Sequence, residues 1–255
     1  MPEDFELLSF LFLAGAVFIA AFIDSIAGGG GLISLPAFIA FGLPTEMALG
    51  TNKLAASFST VESSYRFAKS GNVNWGIIKR LAPFSMLGAI VGVKSVLLID
   101  KSYLTPIIFV CLILVLIYTC INKKMGSSDE FMGMTSENIR NGRIMAFALG
   151  FYDGFLGPGT GSFLIFLLIK IFKFNFIKAS GNAKLLNLAS NMMSMVLFVY
   201  YGKIVYFYAL SAALVMILGA KLGSKMAITK GSAFIKPVFL IVTAIVTIKM
   251  GLSFL

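Results

Sequence analysis

The chain contains no histidine at all, and its two cysteines, Cys111 and Cys120, lie in one apolar stretch. Without histidine or a set of thiols at ligand spacing, zinc and haem have no obvious ligands. Imidazole acid–base catalysis is excluded by the same absence. No metal or cofactor is therefore expected, nor a structural disulfide. Charge is scarce too: 13% of the residues are charged, where a soluble domain carries about 25%. A phosphate-binding GxxxxGK[ST] sequence is missing, which removes support for ATP-driven work by this chain. No basic block alternates with aromatics, so nucleic acid is not an expected partner. The opening MPEDFE is acidic and lacks the basic start of a signal peptide, so the first apolar segment reads as a helix that stays in the membrane.

Apolar sequence is what remains. The 255 residues are 58% hydrophobic with a mean hydropathy of +0.94, the balance of an integral membrane protein embedded in a lipid bilayer. Apolar segments run over Leu7–Ile23, Leu32–Phe41, Ala48–Phe67, Ile77–Ile99 and Tyr103–Ile121. A second set covers Ile144–Tyr152, Phe163–Phe172, Ala179–Tyr201, Ile204–Met226 and Phe234–Ile248. A span needs about 20 apolar residues; the short segments beside the glycines are expected to be broken or to enter and turn back. The polar stretch Asn122–Asn141 reads as a flexible loop between halves.

The halves repeat. FIDSIAGGGG from Phe22 resembles FYDGFLGPGT from Phe151, which pairs Asp24 with Asp153. TNKL from Thr51 then matches NAKL from Asn182. One constant spacing separates Gly71 from Gly202, Gly88 from Gly219, Gly92 from Gly223, Lys94 from Lys225 and Pro106 from Pro237. A single register kept this far points to gene duplication. The expected organisation is a first transmembrane repeat over 1–121, a linking loop over 122–141 and a second repeat over 142–255.

The net charge of +10 then has a topological explanation. Most of the 21 basic residues fall in four regions, Arg66–Arg80, Lys123–Arg143, Lys170–Lys178 and Lys221–Lys236. Only Lys94, Lys101, Lys203 and Lys249 fall on the opposite side. Basic residues concentrate in cytoplasmic loops. The bias predicts an all-α polytopic protein of the cell membrane, built from two inverted-topology repeats of about five segments each, with both termini outside and helix breaks at the glycine-rich motifs. Inverted repeats that meet at a midplane site are a common transporter plan.

Two glycine-rich breaks, Gly28, Gly29, Gly30 and Gly31 in the first half and Gly157, Gly159, Thr160 and Gly161 in the second, are the first candidate substrate site. A helix that restarts inside a membrane presents unpaired amides and a positive dipole end, which attract anions. Such backbone is tolerated only where protein or a watery cavity covers it. The competing reading is close helix packing through small residues. Pro158 has no amide hydrogen, so the two half-sites are chemically unequal.

Thr51, Asn52 and Lys53, repeated as Asn182, Ala183 and Lys184, come next. A lysine at membrane depth faces a cavity or a partner. Lys53 and Lys184 could neutralise an anion, pair with Asp24 and Asp153, or snorkel to the interface. Lys184, Asn187 and Asn191 share one helix face, suited to a translocation path or to interhelical hydrogen bonds. Asp24 and Asp153 could cap the breaks, form ion pairs, or carry a coupling cation or proton. The GxxxG spacings Gly88/Gly92 and Gly219/Gly223 are read as close helix contacts.

The same residues resemble the TauE/SafE family of membrane anion permeases, described as sulfite exporters. The resemblance rests on Gly28–Gly31, Leu35-Pro36, Gly42-Leu43-Pro44, Ala48, Gly50-Thr51-Asn52, and Gly71-Asn72-Val73 with Trp75. A weaker duplicate follows at Gly157, Gly159 and the Asn182/Lys184 region. It implies a small anionic substrate such as sulfite or an organosulfonate. The expected function is secondary transport by alternating access between the repeats, with a coupling ion or proton as a further candidate partner. The alternatives are an anion channel and, with only the two aspartates to recommend it, an intramembrane enzyme. Oligomeric state is not legible.

Overall fold

The computed structural model describes residues 3–98, 126 and 128–252, and within them the chain is a set of helices joined by turns. The helices are α1 (Glu3–Ala27), α2 (Gly31–Ala40), α3 (Thr45–Lys69), α4 (Trp75–Val96), α5 (Ser136–Phe155), α6 (Thr160–Phe172), α7 (Phe176–Tyr200), α8 (Tyr206–Lys230) and α9 (Ser232–Leu252). The segment Tyr103–Ile121, with both cysteines and Pro106, lies outside the described residues. Phe10–Ala27 within α1, and α4, α7 and α8, are each long and apolar enough to cross a bilayer. The protein is an all-α polytopic membrane protein.

α2 and α6 are different. At 1.5 Å per residue their 10 and 13 residues reach about 15 and 20 Å, short of the roughly 30 Å hydrocarbon core. Each is entered through left-handed glycines, Gly28 and Gly29 (φ 77° and 91°) before α2, and Gly157 and Gly159 (φ 88° and 85°) before α6. The left-handed position moves because Pro158, aligned with Gly29, has its φ locked near −65°. The polar stretch ending at Asn141 is shorter than its composition suggests. α5 starts at Ser136, where the Thr135 hydroxyl accepts from the Asn138 N–H, and carries Arg140 and Arg143 within the helix.

The order long, short, long, long occurs twice, and the two sets pack crosswise. α1 lies along α8, and α5 lies along α4. The glycines make these contacts. A Cβ on Gly88 would stand 2.1 Å from the Phe147 carbonyl oxygen, and one on Gly92 2.1 Å from that of Phe151. The equivalents on Gly219 and Gly223 would stand 2.4 and 2.2 Å from the carbonyls of Phe18 and Phe22. All four positions require a residue without a side chain.

α3 and α7 run antiparallel. Gly50, near the start of α3, meets the Lys203 carbonyl just beyond α7, while Gly181, near the start of α7, meets the Asn72 carbonyl just beyond α3. Two apolar clusters hold the helices together. One centres on the phenylalanines Phe166, Phe172, Phe174 and Phe176, and the other on Val17, Phe38, Leu49 and Phe198. The buried residues of α3 and α7 that belong to neither cluster include Lys53, Lys184, Asn187 and Asn191.

Candidate functional site

The two breaks touch. A Cβ on Gly28 would fall 2.3 Å from the Ser162 backbone nitrogen, one on Gly161 would fall 2.7 Å from the Gly28 Cα, and one on Gly31 would fall 3.3 Å from the Pro158 Cα. The Ser162 hydroxyl donates to the Ala27 carbonyl at 3.0 Å, tying the start of α6 to the end of α1. The first turns of α2 and α6 thus converge and bring their positive dipole ends together, with the Leu32, Ile33 and Thr160 N–H groups donating to the carbonyls of Gly29, Gly30 and Gly157.

Beside them lies a small cavity of about 40 Å³. On that measure one water needs roughly 10–15 Å³, so the space admits a few water-sized groups. Its lining comes from both halves: Gly29, Gly30, Gly31 and Ser34 of the first break, Gly157, Gly159, Thr160 and Gly161 of the second, Asn52, Lys53, Ala56, Ser59 and Thr60 of α3, Asn187 and Asn191 of α7, with Asp24, Asp153 and Met216.

The charges pair across the repeat. Lys53 Nζ lies 2.9 Å from Asp153 Oδ1, and Lys184 Nζ lies 2.5 Å from Asp24 Oδ2. The pairs are related by the repeat but are not equal. The side chains of Lys53 and Asp153 are 4% and 3% exposed; those of Lys184 and Asp24 are 1% and 22% exposed. Lys53 also donates to Asn191 Oδ1 at 2.9 Å, and Asn191 in turn donates to Asn187 Oδ1 at 3.2 Å. The Ser190 hydroxyl donates to Asp153 Oδ2 at 2.7 Å. On the other side, the Gly30 N–H donates to Asp24 Oδ1 at 3.1 Å, so Asp24 both caps the first break and pairs with a lysine. Two cations and two carboxylates cancel, and the side-chain charge around the cavity sums to zero.

Residues 13–250 match the family described as sulfite exporter TauE/SafE. The chain belongs to that family. TauE/SafE proteins are transporters and not enzymes. Among curated relatives, a probable membrane transporter protein of Haemophilus influenzae is 37% identical over 98% of this chain and 96% of its own length. The probable membrane transporter protein ORF9 of a Sinorhizobium species is 36% identical over 96% of this chain and 93% of its own. The probable membrane transporter protein YfcA of Escherichia coli K12 is 33% identical, over 96% and 89%. No solved structure matches the chain. The protein is thus a multi-pass membrane transporter.

Within this TauE/SafE chain, four candidate site residues lie away from the cavity lining. Thr51 and Asn182 serve as latches: the Val205 N–H donates to Thr51 Oγ1 at 3.0 Å, and the Asn74 N–H donates to Asn182 Oδ1 at 3.0 Å. Each therefore holds the turn that starts a helix of the opposite half. Lys184 turns from the Asn187–Asn191 face to Asp24, and Gly28 is occupied by its contact with Gly161 and Ser162. Ser59 and Thr60 also line the cavity, and the spacing that relates TNKL to NAKL sets them opposite Ser190 and Asn191, a signal that could have found them; Ser34 and Met216 carry none. Ser34 follows a glycine break but matches Phe163 in the other half, and Met216 looks like any apolar residue of a spanning helix.

Proposed function

We propose that this protein is a secondary transporter of a small anion, of the sulfite or organosulfonate class, working by alternating access between two inverted repeats of five membrane segments each. On its sequence, the apolar stretch Tyr103–Ile121 is the candidate for the fifth segment of the first repeat. The observation that carries the reading is the convergence of the α2 and α6 first turns on a cavity lined by both halves. Two helix starts that converge at such a point favour an anion through their dipoles. The antiparallel course of α3 and α7 supports the inversion, because the same contact, Gly50 to Lys203 and Gly181 to Asn72, recurs with the halves exchanged. The basic loops support a topology with both termini outside the cell membrane.

In this mechanism the substrate sits against Gly29–Gly31 and Gly157–Gly161, with Asn52, Lys53, Asn187 and Asn191 as side-chain partners. Thr51, Asn182 and Lys184 hold the frame. Rocking of one half against the other changes which side the cavity faces. Asp24 and Asp153 pair with the lysines and are the groups through which a proton or cation would couple.

The test is flux of sulfite into liposomes that contain the purified protein, with sulfoacetate, sulfate and chloride compared. Saturable uptake that is stimulated by the same anion on the opposite side is the expected result. Currents far beyond a carrier's turnover, without such counterflow, would instead indicate a channel. Absence of flux for every anion, from a folded sample, would refute transport of this class.

A further inference from the structure

Resting on the anion-transport reading above, we infer that the bound species is singly charged: hydrogensulfite, or a sulfonate with no second ionised group, in preference to sulfate or a carboxysulfonate dianion. The argument is one of charge. The formal side-chain charges around the cavity cancel in the pairs Lys53–Asp153 and Lys184–Asp24. The C-terminal ends of α1 and α5 carry the opposite sign, but none of residues 25–27 or 154–156 lines the cavity, so what faces an anion there is the pair of helix starts. Each helix N-terminus is equivalent to roughly +0.5 of an elementary charge, so two converging ends supply about one. One negative charge is neutralised by that arrangement; a second would be buried without compensation, which is strongly unfavourable.

An independent feature points to a ligand in the cavity. Asn52, 8% exposed and part of the lining, has a buried carboxamide oxygen with no hydrogen-bond partner. A buried polar group left unpaired is costly, so it is normally matched by a partner that occupies the site. The nearby hydroxyls are engaged elsewhere: those of Ser59 and Thr60 donate to the Ala56 carbonyl and that of Ser34 donates to the Gly30 carbonyl. A carboxamide offers both a donor and an acceptor. It suits an oxyanion that still carries a hydroxyl, such as hydrogensulfite or a hydroxylated monosulfonate.

The experiment compares isethionate, a hydroxylated monosulfonate, with sulfate as ligands of the purified full-length protein, by calorimetry in detergent and by competition for flux in neutral-lipid vesicles. We expect isethionate to bind at least tenfold more tightly than sulfate. Asp24→Asn adds one net positive charge to the site and should move the ratio at least tenfold towards sulfate. Adding Lys184→Gln to it restores neutrality and should return the ratio to that of the parent. Where Asp24→Asn alone does not fold, the double variant and Asn52→Asp carry the test, the latter weakening isethionate at least tenfold. Sulfate binding as tight as isethionate in the parent, or a ratio insensitive to these charges, overturns the inference while leaving anion transport standing. A folded protein that binds neither anion overturns the inference, and one that also carries no sulfite flux overturns both.

Discussion

Replacing Asp153 by leucine leaves the Lys53 ammonium buried without its carboxylate. The pair lies 2.9 Å apart with side chains 4% and 3% exposed, so solvent cannot take over the lost contact. Removing one member of such a pair costs about 3–5 kcal/mol, chiefly because the survivor stays charged and unmatched. The Ser190 hydroxyl loses its carboxylate acceptor at the same time and keeps the Asn187 carbonyl at 3.1 Å. Replacing Lys53 by methionine strands the carboxylate in the same way, and Asn191 loses a donor. The double variant Lys53→Met/Asp153→Leu buries no charge, and apolar replacements of buried pairs are often neutral or stabilising by about 1–4 kcal/mol. The expectation is two damaging single changes and a double variant close to the parent, a coupling of about 3 kcal/mol or more. Equilibrium unfolding in mixed micelles with increasing SDS measures it, with near-native helicity by circular dichroism as the control for folding. Single changes whose costs add up in the double variant, with coupling below about 1 kcal/mol, would refute the buried pair as a linked unit.

Other expectations are more local. Gly88→Leu and Gly219→Leu should each prevent the close helix crossing, since even a Cβ would lie 2.1 or 2.4 Å from a carbonyl oxygen, whereas Gly15→Ala meets nothing within 4 Å and should be tolerated; folded yield by size-exclusion chromatography separates them. Thr51→Val removes the acceptor of the Val205 N–H and should cost about 1–3 kcal/mol, read in the same SDS titration, with sulfite affinity little changed. For topology, single cysteines at Lys203 and Lys178, in a background with Cys111 and Cys120 replaced, should react from opposite sides of intact cells with an impermeant maleimide, outside for Lys203 and inside for Lys178.

The parts of the fold legible in sequence were those governed by a repeated local rule. Glycine at Gly88 and Gly219 announced close contact because only small residues allow carbonyl and helix to meet, and the paired register said that the contact would occur twice. Gly28 and Gly157 marked the breaks because a left-handed φ favours glycine. What sequence could not supply was the choice among partners. Lys53 and Lys184 read alike, yet one lines the cavity beside Asn191 and the other is hidden behind Asp24. Thr51 and Asn182 read as polar site residues because a hydroxyl or carboxamide suits a ligand as well as a backbone N–H, and only the path of the opposite half decides which it meets. The start of α5 was obscured because Glu137, Arg140 and Arg143 break the apolar pattern inside a helix that Thr135 caps.

The crosswise pairing of α1 with α8 and of α4 with α5 carries a consequence for synthesis. The ribosome finishes α1 about 200 residues before it finishes α8, and at about 5–20 residues per second that is a wait of roughly 10–40 s. During that time Phe18 and Phe22 offer their backbone to a partner not yet made, and α4 awaits α5 across the linker. Neither half can close these two crossings while the other is missing. The two halves, translated as separate chains in one cell, should therefore be degraded singly and protect each other when produced together.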